Sequence, residues 1–510
     1  MTGVLIRDCS IGGRTGCSVY CDGGRIVRIQ EGSLAVPVGA GAIEANGGAL
    51  YPGFVDSHCH PFEYGWLKRS VDLRGVTNMT GVRLRVESGV ARAKPGEWVR
   101  GMGWDQEAFP GGEMPRRADI DDITPRNPVV LARVCGHIAL LNSRAIETLG
   151  LAERAGEEYE RDQYGVLTGI VKERAVDEVY NKLPRSAEES AADLQSVEAE
   201  AARLGLTALH CIVSPDGYRE ELAALAALGT SSSLSLRYRV YIPPPAVEHL
   251  DATGLWTKLA GSRVRINGVK IFADGSLGAR TAALREPYSD DKSTSGVLRY
   301  TDEQLFELVE RVDVRGMQAI IHAIGDRAIE QAAEALGTVA GTHNPRLHRV
   351  EHASLLPKDL RSKMRKHAIR AAVQPLFITS DSWAADRLGD ERARDLYPLR
   401  SMLAEGIITS GGSDSPVESM SPILGMWAAM TRGGADSAEK LTLDEALSLY
   451  TVNAESNGAE PSSGVIVEGL PANLTLLDSD TNGMHPALFR KAGVLATIVE
   501  GSVVHSYGAI

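Results

Sequence analysis

Six side chains able to hold a metal ion recur where apolar, β-rich runs end. His58 and His60 close YPGFVDSHCH, Lys270 lies in VKIFA, His322 in AIIHA and His352 in RVEHA, and Asp414 follows ITSGGS. Side chains alternate faces along an extended strand, so His58 and His60 share one face and can ligate a single ion. Cys59, between them, faces the other way and is not counted as a ligand. A lone histidine in an apolar strand is more often a packed core residue, and H-x-H alone is a weak signal. The assignment rests on six such groups falling at successive strand ends. Imidazole and carboxylate donors suit one or two zinc ions, with manganese or iron as alternatives. An ion held this way lowers the pKa of a bound water toward ~7 and polarises a carbonyl oxygen.

These groups need a frame that gathers strand ends on one face. The runs NGVKIFA (267–273), MQAIIHA (317–323), LHRVEHA (347–353), AIRAAVQP (368–375) and GIITSGG (406–412) alternate with amphipathic stretches. The clearest helix is expected over Asp302–Arg315, where Leu305, Phe306, Leu308, Val309 and Val312 fall on one face. Thr301 with Gln304, Ser186 with Glu189 and Thr442 with Glu445 have the spacing of capping boxes. PGFVDSH, VVLARV and LTALHC supply earlier strands. Strand–helix alternation over this length predicts an α/β fold, a (β/α)8 TIM-type barrel whose active groups sit at the C-terminal strand ends. The barrel is assigned to 51–464, with 61–130 as an α/β insertion after its first strand. Both termini are rich in strands and turns and poor in helices, which predicts a small composite β-sandwich from 1–50 and 465–510.

Composition narrows the function classes. The chain has 510 residues, 54 basic against 66 acidic, and a net charge of −12. An acidic balance argues against nucleic acid as a partner. No apolar run reaches the ~18 residues of a membrane span, so no membrane partner is expected. Arg7 and Asp8 stand where a signal peptide would be apolar. Six cysteines in this length do not make a disulfide scaffold. The reading is a reduced, cytoplasmic protein acting on a small molecule. Barrels of this kind often dimerise, which leaves a homodimer open.

The segments YPGFVDSHCH (51–60), GHIALLNSRA (136–145), GVKIFADGSLGART (268–281), IHAIGDRAI (321–329), VEHA (350–353) and GGSDSPVESMSP (411–422) resemble the amidohydrolase superfamily. The similarity is to its third family, which includes N-substituted formamide deformylases. The resemblance implies that His58 and His60 bind a more buried metal and that His322 and His352 bind a second. It further implies that Lys270 bridges both as a carbamate, and that Asp414 binds the first metal and acts as base. An unmodified ammonium would repel two cations, whereas burial favours the neutral amine that can take up CO2. A buried lysine paired with an acid such as Asp274 is the alternative.

The implied reaction is hydrolysis of an amide, formamide or cyclic amide C–N bond by a metal-activated hydroxide. Asp414 carries the proton to the leaving amine, and His137 or the second ion polarises the carbonyl. Trp104, in GMGWDQ, and Asp274 are expected with His137 around the substrate; for Trp104 a local core is the alternative. An ester or carbamate hydrolase on the same site is the competing enzyme reading, and a non-catalytic scaffold is the other. Two departures from the family pattern stand out. Cys211 follows His210 where an acid is common, and Asn473 replaces an aspartate in GLPANLTLLD. His210 itself is read as a packed residue.

Overall fold

The strands of the middle segment pair in chain order. We label them β1 (Phe54–Cys59), β2 (Leu206–Ile212), β3 (Arg237–Ile242), β4 (Val264–Phe272), β5 (Gln318–Ala323), β6 (Arg349–His352), β7 (Arg370–Val373) and β8 (Thr409–Gly411). The computed structural model describes residues 3–134, 137–183, 186–253, 263–435, 437–460 and 463–508. Among them β1 to β8 form one parallel eight-stranded sheet with every neighbour in sequence order. Every residue of β1, β2 and β3 is buried, as in a parallel sheet covered on both faces.

The segment after β8 brings the last strand back to the first. Asp414 N donates to the His58 carbonyl at 2.7 Å and His60 N to the Ser415 carbonyl at 2.9 Å. The buried Asp56 carboxylate accepts from Ser413 N at 3.0 Å, Ser413 Oγ at 2.5 Å and His58 N at 3.1 Å. Gly412 makes this approach sterically feasible, because a Cβ there would stand 2.6 Å from His58 N. The nearly closed sheet is the expected TIM-type barrel.

Two strand assignments need correction. VVLARV is not a barrel strand; Val129–Arg133 belongs to another sheet. The third barrel strand is RYRVYI, whose arginines at alternate positions hid it. Arg237 pairs with buried Glu455, and Arg239 donates to Glu460 at 2.9 Å, so both guanidinium groups enter the fold with partners. A buried charge is tolerated when it is paired and hydrogen-bonded.

All three capping boxes form. Thr301 and Gln304 cap a helix over Asp302–Asp313, which buries Leu305, Val309 and Val312. Thr442 and Glu445 cap Leu443–Tyr450, and Ser186 and Glu189 exchange bonds ahead of Ala187–Arg203. Each cap is worth ~1 kcal/mol and fixes where its helix starts.

Two antiparallel-rich sheets of four strands are built from the chain before β1 and after β8. One contains Gly3–Ile11, Arg14–Asp22, Arg25–Glu31 and Gly41–Glu44. The other contains Leu50–Pro52, Leu474–Leu477, Val494–Val499 and Ser502–Ser506. Val4, Ile6 and Val19 share one apolar cluster with Leu474, Leu476 and Ile498, so residues from both ends build one core.

Barrel and terminal sheets form one compact unit, and Glu63–Ser196 forms a second. The second unit holds a six-stranded mixed sheet around Val71, Val99, Leu131, Leu140 and Ile170. The separate segment therefore runs well past residue 130. No helix among the described residues is long and apolar enough to cross a membrane.

Candidate metal centre

The side chains of β1 alternate as expected. His58 and His60 both reach Asp414, whose Oδ1 lies 3.2 Å from His58 Nε2 and 3.2 Å from His60 Nε2. The three ligand atoms lie within 4.8 Å of one another. Donors sharing a tetrahedral zinc with bonds of ~2.0–2.1 Å stand about 3.3 Å apart, so this corner has the spacing of a metal site. Cys59 lies away from it, its thiol directed to the His210 carbonyl at 3.6 Å.

His322 and His352 join the cluster from β5 and β6. Their rings lie 4.5 Å apart, and the His352 ring lies 4.8 Å from that of His58. His352 reaches it by breaking strand alternation. Glu351 and His352 are adjacent yet both meet His58, because His352 has φ 68 and Ala353 φ 45. Asp414 also sits in the left-handed region, at φ 55. Such backbone costs of order 1–3 kcal/mol per residue and is concentrated at functional sites.

The hydrogen bonds behind the imidazoles select tautomers that suit ligation. His58 Nδ1 bonds Glu351, leaving Nε2 toward Asp414. His352 Nδ1 bonds Gln374 Oε1 at 2.6 Å, and His322 Nε2 bonds the Gly275 carbonyl at 2.9 Å. Each ring donates its one N–H and keeps a lone pair on the other nitrogen. Burial, then the charge of Lys270, pushes His322 down to about 3. Burial, then His322, holds His352 well below the usual imidazole range. Both rings are therefore neutral donors at neutral pH. Burial opposes ionisation of Asp414, but His58 and His60 outweigh it and hold the carboxyl well below its usual range. Neutral imidazoles beside an ionised carboxylate fit a divalent cation.

Lys270 is buried at the same centre, with Nζ 3.4 Å from His58 Nε2 and 4.8 Å from the Phe272 ring centroid. Burial lowers its ammonium to about 8, with Glu351 and Asp414 opposing. Asp274 is not its partner. The Asp274 carboxylate accepts from Ala283 N at 2.9 Å, Ile324 N at 3.1 Å and Gly325 N at 2.9 Å, and is fully buried. The carboxylate thus anchors backbone segments, and its Oδ1 also lies 3.4 Å from His322 Nε2 at the edge of the centre.

Two further expected residues lie in the second unit. Trp104 is 1% exposed and donates its indole N–H to the Leu131 carbonyl at 2.7 Å, the local-core placement of the two the sequence left open. His137 has a side chain 69% exposed, with Nδ1 3.2 Å from Glu173 Oε2. Gly136, which opens the GHIALLNSRA segment, lies outside the described residues. His210 is packed as read, fully buried with Nδ1 3.1 Å from Arg349 Nη1.

Sequence reasoning missed Glu351, Arg349, Gln374 and Asp56 as supports of the centre. Asp56 sits two residues before His58, and Glu351 one before His352. The inward parity of Asp56, His58 and His60 was a signal available for the first of these.

The chain is similar to known proteins over most of its length. The family described as "Amidohydrolase family" matches residues 41–505. A putative amidohydrolase, YtcJ, of Bacillus subtilis (strain 168) is 31% identical, covering 91% of this chain and 90% of its own. An N-substituted formamide deformylase of Arthrobacter pascens is 27% identical, covering 96% of each. The crystal structure of an uncharacterized metal-dependent hydrolase from Pyrococcus furiosus is 31% identical, with a TM-score of 0.83 over 94% of this chain and 99% of that one.

Proposed function

The chain belongs to the amidohydrolase family, and from that premise we propose that it hydrolyses a C–N bond in an amide, formamide or cyclic amide. The observation that carries this is the cluster of His58, His60 and Asp414, joined by His322, His352 and Lys270. N-substituted formamides are the first candidates, supported by the relative of that name.

The donor set suits zinc, with manganese or iron as alternatives. A divalent ion bound here supplies Lewis acidity, making water a better nucleophile and the carbonyl carbon a better electrophile. His58, His60 and Asp414 would hold one ion, and His322 and His352 a second. Lys270 would bridge them as a carbamate. Its neutral amine adds to CO2, the nitrogen loses a proton, and the resulting anion offers two oxygens. The lowered ammonium pKa of about 8 and the absence of a paired acid at Asp274 support that reading.

Asp414 is assigned the proton transfer. Its Oδ1 faces both His58 and His60, which leaves Oδ2 to accept a proton from the attacking water and return it to the leaving amine nitrogen. The family resemblance alone carries the assignment of His137 to the substrate carbonyl oxygen; its side chain is exposed, with Nδ1 3.2 Å from Glu173 Oε2. A cytoplasmic location is supported by the five described cysteines, all free and buried.

The test is a hydrolysis panel on chelator-stripped and zinc-reloaded protein: N-substituted formamides, N-acyl amines, cyclic amides, esters and carbamates. Metal-dependent release of an amine is expected. Full activity without a transition metal, or turnover confined to esters, refutes the assignment.

A further inference from the structure

A groove of about 410 Å³ opens where the chain leaves β3 and returns from β4. Pro244, on one wall, follows closely on the end of β3 at Ile242. Arg299, on the other, donates its backbone N–H at 2.8 Å to the carbonyl of Ala273, the first residue beyond β4. The groove therefore meets the barrel at the C-terminal strand ends, the face on which such barrels take their substrates. Beyond Arg299 and Tyr300 it runs along one side of the helix Asp302–Asp313, past Gln304, Glu307 and Arg311. Arg299 links this groove to the metal centre. Its guanidinium lies over the Phe272 ring, 5.6 Å from the centroid. The same ring has Lys270 Nζ 4.8 Å from its centroid and the His322 ring at 5.4 Å.

Stacking holds a guanidinium by its face and leaves the N–H donors at its edge available. Arg299 is exposed, and among the described residues no carboxylate forms an ion pair with it. Asp274, whose charge it meets through space, is fully buried and accepts from the backbone of Ala283, Ile324 and Gly325. Arg311 differs, because it donates to Glu248 at 3.4 Å and stands one turn from Glu307. The unanswered positive charge of the groove thus lies at Arg299, beside the centre, in a chain whose net charge is −12. A planar fork of this kind matches a carboxylate through two parallel hydrogen bonds. One such fork, with the neutral Tyr300 and Gln304 lining the same groove, suits a monoanion. We propose that Arg299 is a specificity-determining residue that receives a carboxylate on the N-substituent of the substrate. The substrate class is then an acidic N-substituted formamide or related amide. The inference rests on the hydrolase reading above and narrows it.

The test is steady-state hydrolysis by the zinc-loaded full chain of N-alkylformamides of graded chain length. Each length is supplied with a terminal methyl, carboxylate or ammonium group, and release of formate and the amine is followed. Wild type should prefer the carboxylate series over the methyl series about tenfold in kcat/KM at the best length, a charged hydrogen bond partly screened by water. The preference should lie mainly in KM, because the contact is made equally in the bound substrate and the transition state. It should shrink as salt is added. Arg299→Gln should abolish the carboxylate-to-methyl ratio. Arg299→Glu should invert it and raise the ammonium-to-methyl ratio above that of wild type. A gain for the ammonium series cannot arise from misfolding, so Arg299→Glu decides the matter even if Arg299→Gln is poorly folded. Wild type that cleaves the methyl series as well as the carboxylate series, or ratios unmoved in Arg299→Glu, overturns the role of Arg299 and leaves the hydrolase reading standing. Zinc-loaded wild type that cleaves no amide of any series overturns the hydrolase reading and this inference with it.

Discussion

Asp414→Asn separates the proposed proton transfer from metal holding at the side chain that meets both His58 and His60. The asparagine keeps the size of the side chain and one oxygen at the position 3.2 Å from both His58 Nε2 and His60 Nε2. It replaces the second oxygen with an NH2 group that cannot accept a proton at neutral pH. The carboxyl lies well below its usual range in the native protein, so it is fully ionised and ready to accept. For the same reason it holds a proton poorly in the ground state. Transfer becomes favourable only as the attacking oxygen bonds to carbon and its own proton becomes acidic, which ties the transfer to the transition state. Removing it should lower turnover by roughly 10²–10⁴, or about 2.7–5.5 kcal/mol of barrier. The histidines and the amide oxygen should retain zinc at saturating concentration. Zinc content and turnover are measured on one sample across a zinc titration, together with the pH–rate profile, whose acidic limb should move or vanish. Recovery of full activity at saturating zinc would refute the shuttle and leave Asp414 as a ligand only.

Lys270→Ala should lose the bridging group and most of the second ion, and an excess of a short carboxylic acid should restore part of the activity. Bicarbonate should speed reconstitution of wild type but not of the variant, and unchanged zinc content in Lys270→Ala would favour a plain buried lysine. Arg237→Met should destabilise the chain by about 3–5 kcal/mol, since it leaves Glu455 buried without its partner. Arg237→Met with Glu455→Leu should recover most of that loss in urea unfolding, and an Arg237→Met variant as stable as wild type would contradict the role given to the pair.

The clustering of the candidate ligands was legible wherever strand periodicity holds. His58 and His60 could be placed on one face because β1 is regular through Cys59, whereas Asp414 was joined to them by the family resemblance of GGSDSPVESMSP. The helix starts were legible because a capping box is a purely local arrangement, complete within four residues. What failed was non-local. RYRVYI has the length and β-propensity of a barrel strand, but its arginines are tolerable inside only because Glu455 and Glu460, more than 200 residues later, come to meet them. VVLARV is apolar enough for a barrel interior and equally fit for the sheet it joins in Glu63–Ser196. Pattern alone does not choose between two buried sheets.

The same distinction explains why the candidate ligands were visible and their supports were not. A ligand is selected for its own chemistry, so its residue type shows in the sequence. Glu351, Gln374 and Asp56 act through a partner, and their residue types mean nothing until the partner is known. Glu351 illustrates the point. In a regular strand it and His352 could not serve one centre, because neighbours face opposite ways. The left-handed turn at His352 and Ala353 lets both do so, with the carboxylate behind one imidazole and the adjacent imidazole beside it. That turn is costly backbone held by the nearly closed barrel around it, and no residue in the run RVEHA is a glycine that would have signalled it. Strain of this kind is where a local reading of the chain must fail, because the energy that maintains it comes from the rest of the fold. The resulting crowding brings two sequence neighbours, a carboxylate and an imidazole, against the same His58 ring.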